Sequence, residues 1–214
     1  MNKRNWFWLP AIFGGIIFFW LFPLKLLARL PKKGGGMPCP FELSWIVDNP
    51  LRRWDVRNAL RYAGLRAGET VLELGPGPGA FTLDAARMVG SEGKIIAVDI
   101  QPQMIEKVRQ RLLAHGVQNV ETHVASGYDL PIENGQVDRA YLVTVLPEIP
   151  DPVRCLREIQ RVLKPGGIAS LTEEFLDPDY PRRATTIAWA KAAGFEIDGS
   201  FGNWWCYTLN FRKV

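Results

Sequence analysis

Val71-Leu72-Glu73-Leu74-Gly75-Pro76-Gly77-Pro78-Gly79 is an apolar run that breaks into a loop with glycine at every second position. The run reads as a buried strand. Gly75, Gly77 and Gly79 read as a turn whose backbone must approach a ligand closely, and Pro76 and Pro78 stiffen it. Glu73 is a charged residue inside an apolar strand, which is costly unless paired, and a positively charged ligand group is a suitable partner. The spacing Gly-x-Gly-x-Gly departs from the dinucleotide pattern Gly-x-Gly-x-x-Gly, with Ala80 where the third glycine would fall. That tilts the loop away from a nicotinamide cofactor without excluding one.

Outward from this loop the chain alternates regularly. Strand 70–74 leads to a helix over 80–89, strand 94–99 to a helix over 103–114, and strand 119–125 through a loop to strand 137–144. A helix over 153–162, a strand over 167–172, a helix over 182–193 and two strand-like runs, 196–202 and 204–211, complete the pattern. Strands alternating with helices predict a parallel sheet covered on both faces, and the last two runs predict an antiparallel hairpin at its edge. Upstream, a helix over 51–65 is expected to bury Trp54, Leu60 and Ala63. Its outer side would carry Arg52, Arg53, Arg57 and Arg61, either solvated or touching anionic head groups.

In such a sheet ligands sit at the carboxyl ends of the strands, where strand order reverses. Asp99 closes the second strand twenty residues after Gly79. It can accept hydrogen bonds from both hydroxyls of an adenosine ribose, or cap the helix that follows. Ile100 then either packs on an adenine face or joins the core.

Glu73-Leu-Gly-Pro-Gly-Pro-Gly79, Val98-Asp99, Leu130-Pro131 with Val137-Asp138, and Glu158-Ile-Gln-Arg-Val-Leu-Lys-Pro-Gly-Gly167 occur in this order. Together they resemble the class I S-adenosylmethionine-dependent methyltransferases, of the small type similar to quinone-biosynthesis methyltransferases, over residues 66–213. The resemblance implies a Rossmann-like, doubly wound, mostly parallel seven-stranded sheet whose last strand is inserted antiparallel. It implies S-adenosyl-L-methionine as cofactor, with Gly75, Pro76, Gly77 and Gly79 under the methionine part, Glu73 near its amino group and Asp99 on the ribose. Where many relatives carry an adenine-contacting Asp after the third strand, this chain has Ser126 followed by Gly127. Where many have His-His after the fourth strand, it has Pro147-Glu148.

Methyl transfer from a sulfonium needs alignment and exclusion of water more than a catalytic group, and a base only if the acceptor must lose a proton. Glu148, Glu173 and Tyr180 are the candidate bases. Alternation along the fifth strand should leave at least one of Glu173 and Glu174 solvated. Core packing is expected for most of the cluster Trp204, Trp205 and Tyr207, and capping for His115. Cys39, Cys155 and Cys206 lack metal-ligand spacing and read as reduced thiols, and no metal is expected.

The formal charge of +4 is uneven. Residues 1–36 carry six basic and no acidic residues, leaving 20 basic against 22 acidic for the rest, so nothing favours nucleic acid. From Asn5 to Leu24 the chain is uncharged and rich in Ile, Phe and Trp. Twenty residues make roughly 30 Å of helix, enough to span a bilayer core. An interfacial or re-entrant helix kinked by Pro10, Gly14 and Pro23 is the competing reading, and a cleaved signal peptide is a poorer one. The expected organisation is an anchoring helix over 1–30, a linker over 31–40 and a catalytic domain over 41–214. The anchor touches membrane lipids through residues 1–33, and the cations after it place the domain on the cytoplasmic side. The expected function is methyl transfer to a hydrophobic or lipid-like small molecule such as a quinone. The alternative is a membrane-tethered, non-catalytic binding or assembly subunit of the same fold.

Overall fold

Strand β1 (Thr70–Leu74) is the sheet's interior, with Val71 and Leu72 fully shielded from solvent. A computed structural model describes residues 38–177 and 179–214 of the chain. The anchoring helix expected over 1–30, and the linker before residue 38, lie outside the described residues. Among the described residues no helix is long and apolar enough to cross a membrane.

A single turn of tight helix (Phe41–Leu43) leads into α1 (Ser44–Val47) and α2 (Pro50–Asp55), followed by α3 (Ala59–Ala63). After β1 come α4 (Thr82–Val89), β2 (Lys94–Asp99), α5 (Pro102–Ala114), β3 (Val120–Val124) and β4 (Val137–Val143). Next are α6 (Pro152–Val162), β5 (Leu163–Glu174), α7 (Arg183–Ala192), β6 (Phe195–Gly202) and β7 (Cys206–Lys213). The sheet order is β3-β2-β1-β4-β5-β7-β6. The first five positions run parallel, and β7 is inserted antiparallel between β5 and β6. The seven strands and the antiparallel insertion are as expected.

Each face of the sheet is covered because its strands are apolar on both sides, as buried parallel strands must be. Leu156, Ile159 and Val162 of α6 and Ala190 of α7 pack with Leu74, Leu142, Leu171 and Tyr207 on one face. Leu60 and Ala63 of α3 and Ala85, Ala86 and Val89 of α4 pack with Val71, Ile95 and Tyr141 on the other. Each large side chain so buried contributes roughly 1.5–3 kcal/mol. Proline starts α2, α5 and α6, and a side-chain cap precedes two of them. Asn49 Oδ1 accepts the Arg52 N–H at 3.0 Å ahead of Pro50, and Asp151 Oδ1 accepts the Arg154 N–H at 3.0 Å ahead of Pro152.

The sequence motifs away from the glycine loop turn out to be staples. Glu158 accepts the Leu130 N–H at 2.8 Å and binds Arg161. Asp138 accepts the Thr70 N–H at 2.9 Å and the Lys164 ammonium at 2.6 Å. Gly167 is glycine because a Cβ there would sit 2.9 Å from the Lys164 carbonyl oxygen and 3.0 Å from that of Asp138. These contacts let β5 begin at Leu163, four residues earlier than expected, since Leu163 already pairs with Val137.

Two other expectations are corrected. The helix expected over 51–65 is two short helices, broken at Val56–Asn58, where the Ala59 N–H closes a tight turn on the Val56 carbonyl (2.8 Å). The break turns Val56 into the core at 1% exposure while Trp54 faces solvent at 65%. Trp204, expected near the core, is 70% exposed, because β7 begins only at Cys206 and Trp204 sits in the turn before it. Tyr207 is buried as expected, its hydroxyl bonded to Thr186 and to the Pro181 carbonyl.

Candidate functional site

The sheet order places β1 between β2 and β4, with chain connections leaving in opposite directions, so a crevice opens at the carboxyl end of β1. The glycine loop lies there. Gly75, Gly77 and Gly79 all adopt positive φ (71°, 53° and 84°), which glycine alone adopts without strain. At Gly75 space is also lacking, since a Cβ would meet Val145 Cγ2 at 2.5 Å. Gly75, Pro76, Ala80 and Phe81 line a small hollow together with Glu73, Tyr141, Val143 and Arg52.

Glu73 is 2% exposed, and its Oε2 has no hydrogen-bond partner among the described residues. The Thr82 and Tyr141 hydroxyls flank the carboxylate and are buried with it. Burial raises its pKa to about 7, against the pull of these hydroxyls, and the charge of Asp99 adds to the rise. The same burial, with the nearby Glu73 charge, holds the Tyr141 phenol well above its ordinary range. An unmatched carboxyl group beside a glycine turn is the arrangement that an ammonium group would complete.

Asp99 is 7% exposed and holds the loop in shape, accepting the Gly77 N–H at 3.2 Å and the Gln101 N–H at 2.9 Å. Burial raises its pKa, opposed by these backbone donors. Of the two roles open to it, capping α5 is not the one observed, since Gln101 occupies the cap position. Ile100 is 56% exposed, so it is not core and leaves an apolar face beside Asp99. Ser126 Oγ accepts the Tyr128 N–H at 3.2 Å, closing a turn of its own. Gly127 is small for packing reasons, a Cβ there meeting Cys155 Sγ at 3.1 Å and Leu74 at 3.3 Å.

The candidate bases differ from expectation. Glu173 and Glu174 are both buried, at 0% and 3% exposure, because β5 is flanked by β4 and β7 and covered on both faces. The expected solvated member of the pair is absent. Glu174 is ion-paired with Arg52 Nε, and Arg52 Nη2 donates to Thr144 Oγ1 at 2.5 Å. Arg52 thus points into the site instead of lying on an outer face, and Arg53 donates to the Ala80 carbonyl at 2.5 Å. Thr144 holds φ +55°, a strained value for a β-branched residue, at the end of β4. Arg52 and Thr144 carried no motif; the positive φ of Thr144 leaves no trace in sequence, and Arg52 was hidden by the broken helix. Tyr180 donates its hydroxyl to the Trp204 carbonyl at 2.6 Å, which occupies the proton a base would need to exchange. Burial, with the charges of Asp177, Asp179 and Asp99, raises Glu148 to about 8 in spite of a Cys39 backbone donor.

No group of three or more metal-ligating side chains exists among the described residues. The three cysteines are unbridged, and burial pushes Cys155 up to about 12. His115 bonds the Arg111 carbonyl at the end of α5, as a capping residue would. A roomier surface hollow lined by Arg87, Ser91, Lys94 and Asn119 lies at the amino ends of β2 and β3, the far end of the sheet from the glycine loop.

The model of a methyltransferase-domain family matches residues 65–192. A ubiquinone/menaquinone biosynthesis C-methyltransferase of Hahella chejuensis is 37% identical over 131 residues, covering 61% of this chain and 52% of that protein. A 2-phytyl-1,4-naphtoquinone methyltransferase of Trichormus variabilis is 33% identical over 146 residues, covering 68% and 63%. The chain spans about half the length of the curated relatives it matches. In fold it is similar to the crystal structure of a SAM-dependent methyltransferase from Aquifex aeolicus, with TM-score 0.77 and 23% identity, covering 82% of this chain and all of that one.

Proposed function

The chain belongs to the methyltransferase-domain family of S-adenosylmethionine-dependent enzymes, and from that premise we propose that it methylates a hydrophobic or lipid-like small molecule at a membrane. The observation that carries the cofactor assignment to particular residues is the buried, unmatched Glu73 carboxyl group beside the glycine loop. Glu73 would receive the cofactor's amino group, Gly75, Pro76, Gly77 and Gly79 its methionine part, and Asp99 its ribose. Ile100 and the turn at Ser126–Gly127 would border the adenine. When bound, S-adenosylmethionine supplies an electrophilic methyl carbon. The chain's own residues then hold the acceptor in line and exclude water.

Two lines support a hydrophobic acceptor. The relatives named above include proteins that methylate quinones. Residues at the carboxyl end of the sheet also expose large apolar groups: Trp45 (67%), Trp204 (70%) and Leu176 (51%). Tryptophans with one face wet are the residues favoured at a bilayer interface. The apolar segment 5–24 would tether the domain to that interface, on the cytoplasmic side. Membranes carrying the protein, incubated with methyl-labelled cofactor, should place label in the organic-solvent extract. Label confined to protein or to water-soluble products would refute the acceptor class.

A further inference from the structure

We propose that the acceptor pocket is built for a protonated amine, with Glu148, Glu173 and Asp177 forming an acidic well and an aromatic wall beside it. This rests on the methyltransferase reading and narrows its substrate class to amine-bearing amphiphiles.

The floor of the well is Glu173. It is fully buried, and both carboxyl oxygens are without a hydrogen-bond partner among the described residues. Leaving such a group unmatched costs several kcal/mol in general, so the fold tolerates it only where something else completes it. The charges that push it upward are those of Asp177, Glu148 and Glu174, in decreasing order of influence, and Arg52 is the cation that opposes them. Asp177 follows β5 and Glu148 ends the tight turn Leu146–Glu148 after β4, both at the carboxyl end of the sheet and both half-buried. Asp179 adds a fifth carboxyl group, its charge acting on both Asp177 and Glu148. Arg52 faces the cluster, but its guanidinium is already engaged by Glu174 and Thr144. Cys39 and Tyr180 border it and bring no positive charge.

Crowded carboxyl groups cannot all ionise, and burial drives Glu148, Glu173 and Asp177 upward together. A cation entering the well reverses this by letting them ionise and pairing with them. A neutral carbonyl ligand would leave most of that charge demand unmet. The wall is Phe175, whose ring meets those of Tyr180 (5.7 Å), Trp204 (5.5 Å) and Trp205 (5.4 Å), so a cation in the well has aromatic faces beside it. Exposed Trp204 and Leu176 continue that wall outward, where a hydrocarbon tail would run. An ammonium held there can pass its proton to a carboxylate of the well, which leaves the nitrogen lone pair free.

The test is calorimetric titration of the full-length protein with benzylamine and with its neutral twin benzyl alcohol, at a pH where the amine is protonated. Benzylamine should bind at least tenfold more tightly than benzyl alcohol. Glu173→Gln and Asp177→Asn should each cut that preference to threefold or less while leaving benzyl alcohol unchanged. If Glu173→Gln does not fold, Asp177→Asn decides alone. Equal binding of the two probes, binding of neither, or a preference that survives the substitutions overturns the proposal. Titration of the same sample with S-adenosylmethionine separates the failures. Cofactor binding without amine preference sinks only the acidic well, whereas absent cofactor binding sinks the methyltransferase reading beneath it.

Discussion

Glu73→Gln should make the ligand-free protein more stable and the cofactor complex weaker. The carboxyl group is buried beside the Thr82 and Tyr141 hydroxyls, and its pKa stands at about 7 instead of 4.5. A carboxyl group whose folded pKa is raised contributes stability at pH below its unfolded value, and that contribution is lost as pH rises through the folded value. The rise of about 2.5 pH units, at roughly 1.4 kcal/mol each, means that ionised Glu73 costs the folded state about 3 kcal/mol at pH 8. At pH 5, where it is largely protonated when folded, the cost falls to about 1 kcal/mol or less. Glutamine keeps the shape without the charge. Thermal unfolding without cofactor should therefore show the variant higher in Tm by roughly 5–10 °C at pH 8, with the gap shrinking toward pH 5. Calorimetry with S-adenosylmethionine should show binding weakened by roughly thirtyfold or more, the loss of a charged hydrogen-bonded partner. A variant no more stable than the parent at pH 8, or a gap independent of pH, would refute the reasoning that Glu73 is held as a strained charge for a cationic ligand.

Asp99→Ala should weaken cofactor binding by about 2–3 kcal/mol, measured calorimetrically, since the Gly77 and Gln101 N–H groups lose their acceptor as the ribose loses its own. Arg52→Ala should lower stability by about 3–5 kcal/mol in denaturant unfolding, because it removes one partner of a buried ion pair, and adding Glu174→Gln should restore part of the loss. Gly75→Ala should cost about 2–4 kcal/mol, against about 1 kcal/mol for Gly68→Ala. Both positions have positive φ, but only at Gly75 does a Cβ collide with a neighbour, and paired thermal melts would show the difference.

The sheet was legible in sequence because β1, β2 and β4 are predominantly apolar and the intervening helices carry a buried stripe. The closing hairpin was legible because two strand-like runs stand close together at the end of the chain, while the insertion of β7 beside β5 was implied only by the family resemblance. The glycine loop and Asp99 could be read because their roles are backbone roles, which leave glycine and a strand-ending acid at fixed separation. What escaped was decided by distant partners. Alternation along β5 suggested that Glu173 and Glu174 could not both be buried, yet β4 and β7 close both edges of β5 and Arg52 reaches over Glu174. Periodicity through 51–65 concealed the break at Val56–Asn58, and the reach of Arg52 to Glu174 across 122 positions has no local signature.

Residues 38–58 add no strand, yet they fasten to every part of the site's rim. The Cys39 carbonyl accepts the Gln101 side chain at 3.0 Å, Ser44 accepts Lys107 at 2.7 Å, Asp48 pairs with Arg111, and Arg52 and Arg53 reach β5 and the glycine loop. The roof of the crevice is thus laced down by polar and ionic stitches, and the same stretch of chain continues back toward the uncharged segment 5–24. Tension applied there reaches the stitches before it reaches the sheet. Raising the ionic strength should loosen the roof while leaving the seven strands intact.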